Sequence, residues 1–201
     1  MAFAALGAAE VLDRDPQDQA AHALLAAAAE QIGRPSDDPL WPWPESRLTY
    51  ANAALPEVLI AAGHAVGDRR MVDDGLALLE WLLGTETIDG CLSVTPIGGW
   101  GVGEERRQYD QQPIEAATMA DACARAYAVT GEERWRDGVE TAVAWFLGVN
   151  NPGIALNDPD TGGGFDGLKP HGLNPNQGAE STLALLSTLQ HARRLAGRRS
   201  R

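Results

Sequence analysis

Two stretches of the chain read alike. The first is Gly67-Asp68-Arg69-Arg70-Met71-Val72-Asp73-Asp74-Gly75-Leu76-Ala77-Leu78-Leu79-Glu80-Trp81-Leu82-Leu83-Gly84. The second is Gly131-Glu132-Glu133-Arg134-Trp135-Arg136-Asp137-Gly138-Val139-Glu140-Thr141-Ala142-Val143-Ala144-Trp145-Phe146-Leu147-Gly148. Each opens on a glycine and an acid, carries a second glycine midway, and closes on Trp, two apolar residues and Gly. Apolar residues recur at helical spacing within each copy, and a helical pattern also precedes each opening glycine. Each copy is therefore the second arm of a helical hairpin with a two- or three-residue turn, and the repeat predicts an all-α stack of such hairpins.

Outward from the repeat, the same periodicity predicts about seven helices: 3–12, a second from Pro16 in its first turn to about 32, then 50–66, 69–83, 113–129, 133–147 and 177–196. One short strand is expected at Cys91–Val94. Between hairpins lie the loops 33–49, 84–112 and 148–176. Short turns alternate with long loops, so antiparallel helices put all the short turns at one end and all the long loops at the other. Long loops without structure of their own are uncommon in compact domains unless they carry function. The spacing therefore selects one working face.

Composition bounds the chemistry. The 201 residues are 44% hydrophobic and 22% charged, enough for one domain, 1–201, with a buried core. Sixteen Lys and Arg stand against 28 Asp and Glu, a net charge of −12 that disfavours nucleic acid and anionic membrane surfaces as partners. No apolar run approaches the roughly 20 residues of a membrane span, and the opening Met1–Asp15 has no basic leader segment. Cys91 and Cys123 lack any paired spacing, which suits a reduced, cytoplasmic chain. The basic end 197–201 is expected to be a frayed tail following the last helix.

The long loops are rich in aromatic and carboxylate residues. They hold Trp41, Trp43 and Glu45, then Trp100, Tyr109, Asp110 and Gln111, then Asp158, Asp160, Asp166, Asn174 and Asn176. A flat apolar ring beside amides and carboxylates is what a sugar face with its hydroxyls requires. The competing reading is that these tryptophans cap the helix ends. Glu115 at the third position after Gln112 fits a capping box, Glu180 and Glu57 fit first-turn acids that suit the helix dipole, and Asp158, Asp160 and Asp166 fit ordinary turns. Several carboxyls on one face also suit glycoside chemistry, which needs one proton donor and one base or nucleophile.

Other motifs lack their partners. Asp158-x-Asp160-x-Gly162 misses the bidentate acid of a calcium loop, Gly99-x-Gly101-x-Gly103 lacks the strand and helix of a dinucleotide site, and Ser181 is not in a nucleophile elbow. His22, His64, His171 and His191 lie far apart. No metal or cofactor is expected.

Four blocks resemble a known family. Trp41-Pro42-Trp43-Pro44-Glu45, Leu48–Glu57, Asp110-Gln111-Gln112-Pro113-Ile114-Glu115 and Asn174-x-Asn176-x-Gly178-Ala179-Glu180-Ser181-Thr182 look like the α/α toroids of the six-hairpin glycosidase superfamily, and more narrowly like bacterial glycosyltransferase- or glycosidase-related proteins. The resemblance covers about 40–196 and implies inner and outer helices with sugar chemistry at one end. A complete toroid has twelve helices, so seven make a partial one, whose exposed apolar flank on the first or last helix would meet a second copy or a missing helical partner. The expectation is a carbohydrate-active domain, glycoside hydrolase-like, with Asp110, Glu115 and Glu180 as acid or base and Glu45 and Asp166 in reserve. Trp41, Trp43, Trp100 and Tyr109 would stack on sugar, and Gln111, Asn174 and Asn176 would orient hydroxyls. The alternatives are a glycan-binding domain that serves a glycosyltransferase without turnover, and a helical scaffold.

Overall fold

A computed structural model describes residues 1–198. It contains α1 (Ala2–Leu12), α2 (Gln19–Ile32), β1 (Arg47–Leu48), α3 (Ala54–Val66), α4 (Arg69–Thr85), β2 (Thr87–Ile88) and β3 (Cys91–Leu92). There follow β4 (Trp100–Gly101), α5 (Pro113–Thr130), α6 (Glu133–Phe146), β5 (Gly167–Lys169), β6 (Gly172–Asn174) and α7 (Ala179–Arg198). The strands form three short antiparallel pairs, β1 with β4, β2 with β3 and β5 with β6.

Local chemistry sets the helix ends. Pro16 lies before α2, not in its first turn as the sequence suggests, because Asp18 is the cap and accepts the Ala21 amide at 2.8 Å. Asp68 caps α4 in the same way through the Met71 amide, at 3.2 Å. Gly67 and Gly131 end α3 and α5 at a φ of 71° each, a left-handed conformation that glycine adopts without steric cost. Of the expected frayed tail, Gly197 and Arg198 are the last residues of α7. The rest of that tail, 199–201, lies outside the described residues.

The midway glycine of each repeat is a packing device. A Cβ at Gly75 would lie 2.8 Å from Ile60 of α3, and one at Gly138 would lie 2.6 Å from Cys123 Sγ of α5. Both hairpins therefore close by direct approach of one helix backbone to its partner.

The hairpins α1–α2, α3–α4 and α5–α6 stand side by side, and α7 follows as an arm without a second helix among the described residues. Helices α1, α3, α5 and α7 pack in series and run in the same direction; α2, α4 and α6 return on the outside. This is the inner and outer arrangement of a partial α/α toroid. Two apolar clusters fill it, one around Leu59, Leu79, Trp43 and Trp135, the other around Trp145, Phe146 and Ala117. Apolar side chains remain exposed on the first and last inner helices, Phe3 at 53% and Leu183 at 65%. Among the described residues no helix is long and apolar enough to cross a membrane.

The short turns sit at one end, where Gly67, Thr130 and Glu132 line the same cavity. At the other end Leu48 pairs with Trp100, Gln111 bridges Leu168, and Tyr50 meets Glu180. The alternation of short and long connections thus sorts the two ends as expected.

Candidate functional site

The amino ends of α3, α5 and α7 converge at the long-loop end. The turn Thr49–Ala53 precedes α3. Asn52 Oδ1 accepts the Thr49 amide at 2.8 Å, and Ala51 takes a φ of 49°. Glu115, in the first turn of α5, reaches across to this turn. Its Oε1 accepts the Ala51 amide at 2.6 Å, and its Oε2 accepts the Asn52 amide and side-chain Nδ2, both at 3.2 Å.

The capping-box reading of Glu115 is therefore corrected. The side chain serves a neighbouring helix entry, and Gln112 makes no side-chain cap bond. Burial, together with buried Glu86 nearby, pushes the Glu115 carboxyl up to about 8 against the pull of its three N–H donors. At 4% exposure it faces the interior rather than solvent.

What the turn presents outward is Tyr50, 51% exposed, whose hydroxyl donates to Glu180 Oε2 at 3.2 Å. Burial first, then Glu180, raises the Tyr50 hydroxyl. Glu180 is exposed in the first turn of α7. Asp166 anchors that turn by accepting from Ser181 Oγ, from the Gly178 amide at 3.0 Å and from Asn176 Nδ2. These bonds, led by Ser181, lower the Asp166 carboxyl. Asp110 and Tyr109 are half-buried on the loop entering α5, and Glu45 is exposed after the Trp43 turn.

Several nominated side chains are committed elsewhere. Trp41 is 8% exposed and Trp43 1%, and both pack on Trp81, Trp41 edge-on at a centroid distance of 5.3 Å and Trp43 stacked at 6.0 Å. Neither offers a ring face to a ligand, so the helix-end reading of these two tryptophans prevails. Trp100 is half-buried, lies 5.1 Å from Trp41 and donates its indole N–H to the Glu104 carbonyl at 2.9 Å. Gln111 is fully buried and joins the interior: its Oε1 accepts from Trp145 Nε1 and its Nε2 donates to Asn151 Oδ1, both at 2.9 Å. It cannot meet a sugar hydroxyl. Asn174 and Asn176 brace the Asp166 turn, Asn174 Oδ1 accepting the Asn176 amide at 3.3 Å.

Tyr50 and the buried Glu86 were not singled out by sequence reasoning. Glu86 accepts the Thr95 amide at 2.8 Å and its hydroxyl, tying down the loop from α4. An Asn three residues after a Thr was the available sign of the Tyr50 turn. Nothing local marks Glu86. No group of three or more His, Cys, Asp and Glu suited to a metal is present among the described residues.

No family model matches this chain, and no curated protein matches it. Among solved structures it is similar to a glycoside hydrolase family 76 mannosidase from Bacteroides thetaiotaomicron, with a TM-score of 0.58 and 13% identity. The match covers 75% of this chain and 40% of the other, so the chain spans well under half of that structure. At this identity the likeness concerns the fold: the chain is an α/α toroid in part, with seven helices among its described residues.

Proposed function

We propose that the long-loop end binds carbohydrate and acts as a glycoside hydrolase-like site. The observation that carries the reading is the Tyr50–Glu180 pair, 3.2 Å apart where three inner helices begin. Glycoside chemistry needs two carboxyls that reach the scissile bond. Glu180 and half-buried Asp110 are the nominated pair, Trp100 and Tyr109 supply partly open rings, and Glu115 acts by fixing the turn that carries Tyr50. The fold likeness to a mannosidase supports a sugar ligand.

Binding without turnover is the second reading. Burial of Glu115 favours it, because one of the three nominated carboxyls is withdrawn from solvent. The test is a glycan screen followed by turnover assays on any glycan retained. Hydrolysis that falls about 10²–10⁴-fold in both Glu180→Gln and Asp110→Asn supports the enzyme. Retention without product in the wild type supports the binding domain, and no retained glycan removes the carbohydrate reading.

A further inference from the structure

The concave side of the inner helices forms a groove of about 680 Å³ between α1, α3, α5 and α7. That volume is within the usual range for small-molecule sites. The groove runs along helix flanks, apart from the loops discussed above, and owes nothing to the carbohydrate reading. Arg125 of α5 meets Glu10 at 2.8 Å, Asp13 at 3.6 Å and Glu57 at 3.5 Å. Asp121, one turn earlier, accepts from Ser187 Oγ at 3.1 Å and pairs with His191 Nε2 at 2.8 Å. Four carboxyls thus gather around one guanidinium and one imidazole, with Arg194 also lining the groove.

Glu57 stands apart in this set. It lines the groove, is 5% exposed, and its Oε2 has no hydrogen-bond partner. An unpaired buried carboxyl oxygen is costly, and its neighbour Asp121 adds repulsion. A cationic N–H donor would satisfy the oxygen and offset the local excess of negative charge. The carboxyls are not disposed as a metal-binding group. Between them the groove is lined by Leu6, Ala124 and Leu195, which suits methylene groups rather than a hydrated ion.

We propose that this groove binds a linear di- or polyamine. One ammonium donates to Glu57 Oε2 beside Asp121, a second reaches Glu10 and Asp13, and the carbon chain lies along Leu6, Ala124 and Leu195. Calorimetry with spermidine on the whole chain tests the assignment. Saturable one-to-one binding is expected, weakened about tenfold or more in Glu57→Gln and in Asp121→Asn. It should be unchanged in Asp73→Asn, an exposed carboxyl of α4 paired with Arg69 outside the groove, which controls for general attraction to an acidic protein. Propylamine, with one ammonium, should bind more weakly than putrescine.

A second readout is proton release. The charged and titratable groups that line the groove with Glu57 are Asp121 and Arg125 from α5, Glu10 from α1 and Asp13 at its C-cap, and His191 and Arg194 from α7. With its carboxyl pushed up to about 8, Glu57 should shed a proton on binding near pH 7, seen as a buffer-dependent enthalpy that Glu57→Gln lacks. If Glu57→Gln does not fold, Asp121→Asn and the buffer series on the wild type decide. No saturable heat, or equal weakening by Asp73→Asn, overturns the proposal.

Discussion

Glu115 and Ala51 meet at 2.6 Å, the carboxyl of one helix's first turn accepting the amide of the turn that opens another. Ala51 is one of two non-glycine residues with positive φ among the described residues. That conformation costs an alanine about 1–2 kcal/mol. The amide bonds to Glu115 and the Thr49–Asn52 bond offset it, so the turn is held by several contacts at once and Tyr50 is fixed at its tip.

Removing the Glu115 carboxyl should therefore act on stability and geometry together. Glu115→Ala leaves the Ala51 and Asn52 amides without an acceptor in a buried site, a loss of about 2–4 kcal/mol in denaturant unfolding. Glu180→Ala, at an exposed position, should cost less than about 1 kcal/mol. Equal losses in the two variants would show that Glu115 does not hold the turn.

Glu57 gives a pH signature. Its carboxyl is raised to about 8 by burial and by Asp121, so the folded state holds a proton that the unfolded chain releases above about 4.5. The favourable contribution is full below about 4.5 and is lost as pH rises toward 8. Between pH 5 and 8 the wild type should lose about 1–3 kcal/mol more stability than Glu57→Gln, measured by urea melts at each pH. Parallel curves would refute the raised carboxyl.

Two glycines on the α3–α4 hairpin should respond with opposite sign. A Cβ at Gly63 would fall 2.7 Å from the Val72 nitrogen and 2.8 Å from the Asp68 carbonyl. Gly63→Ala should destabilise by about 1–3 kcal/mol through forced separation of the helices. Gly84 has nothing within 4 Å of its Cβ position, so Gly84→Ala should stabilise α4 by up to about 1 kcal/mol. Thermal melts of both variants provide the check.

Tryptophan truncation separates core from rim. Trp43→Ala should cost about 3–5 kcal/mol, because the ring is almost wholly enclosed. Trp100→Ala should cost less, and it alone should weaken retention of a glycan found by the screen. A Trp43 variant that stays stable but loses glycan retention would return Trp43 to the binding surface.

The hairpins were legible because glycine, aspartate and apolar spacing act locally: Asp68 and Gly67 need only their own turn to stop one helix and start the next. The end-sorting of turns and loops followed from connection lengths. The candidate site was harder to read. Glu115 looks like a capping acid in sequence, and only the approach of residue 51, remote along the chain, shows what it binds. Gln111 and Trp43 resemble ligand-binding residues by type and loop position, yet the loops fold back over the helix ends and bury them. Side-chain type and loop membership report chemistry; they do not report which way a long loop turns.

Because each inner helix packs chiefly on its own hairpin partner and on the next inner helix, contacts link near neighbours in the chain. Such chains assemble and open in units rather than all at once. The unit α3–α4 with α5–α6 has neighbours on both sides. The last helix packs chiefly on α5 and α6, with Leu183 and Leu186 left bare. In native-state hydrogen exchange, the amides of α7 should lose protection at lower free energy than those of α5. The turn that carries Glu180 would then be a part of the molecule able to rearrange without unfolding the rest.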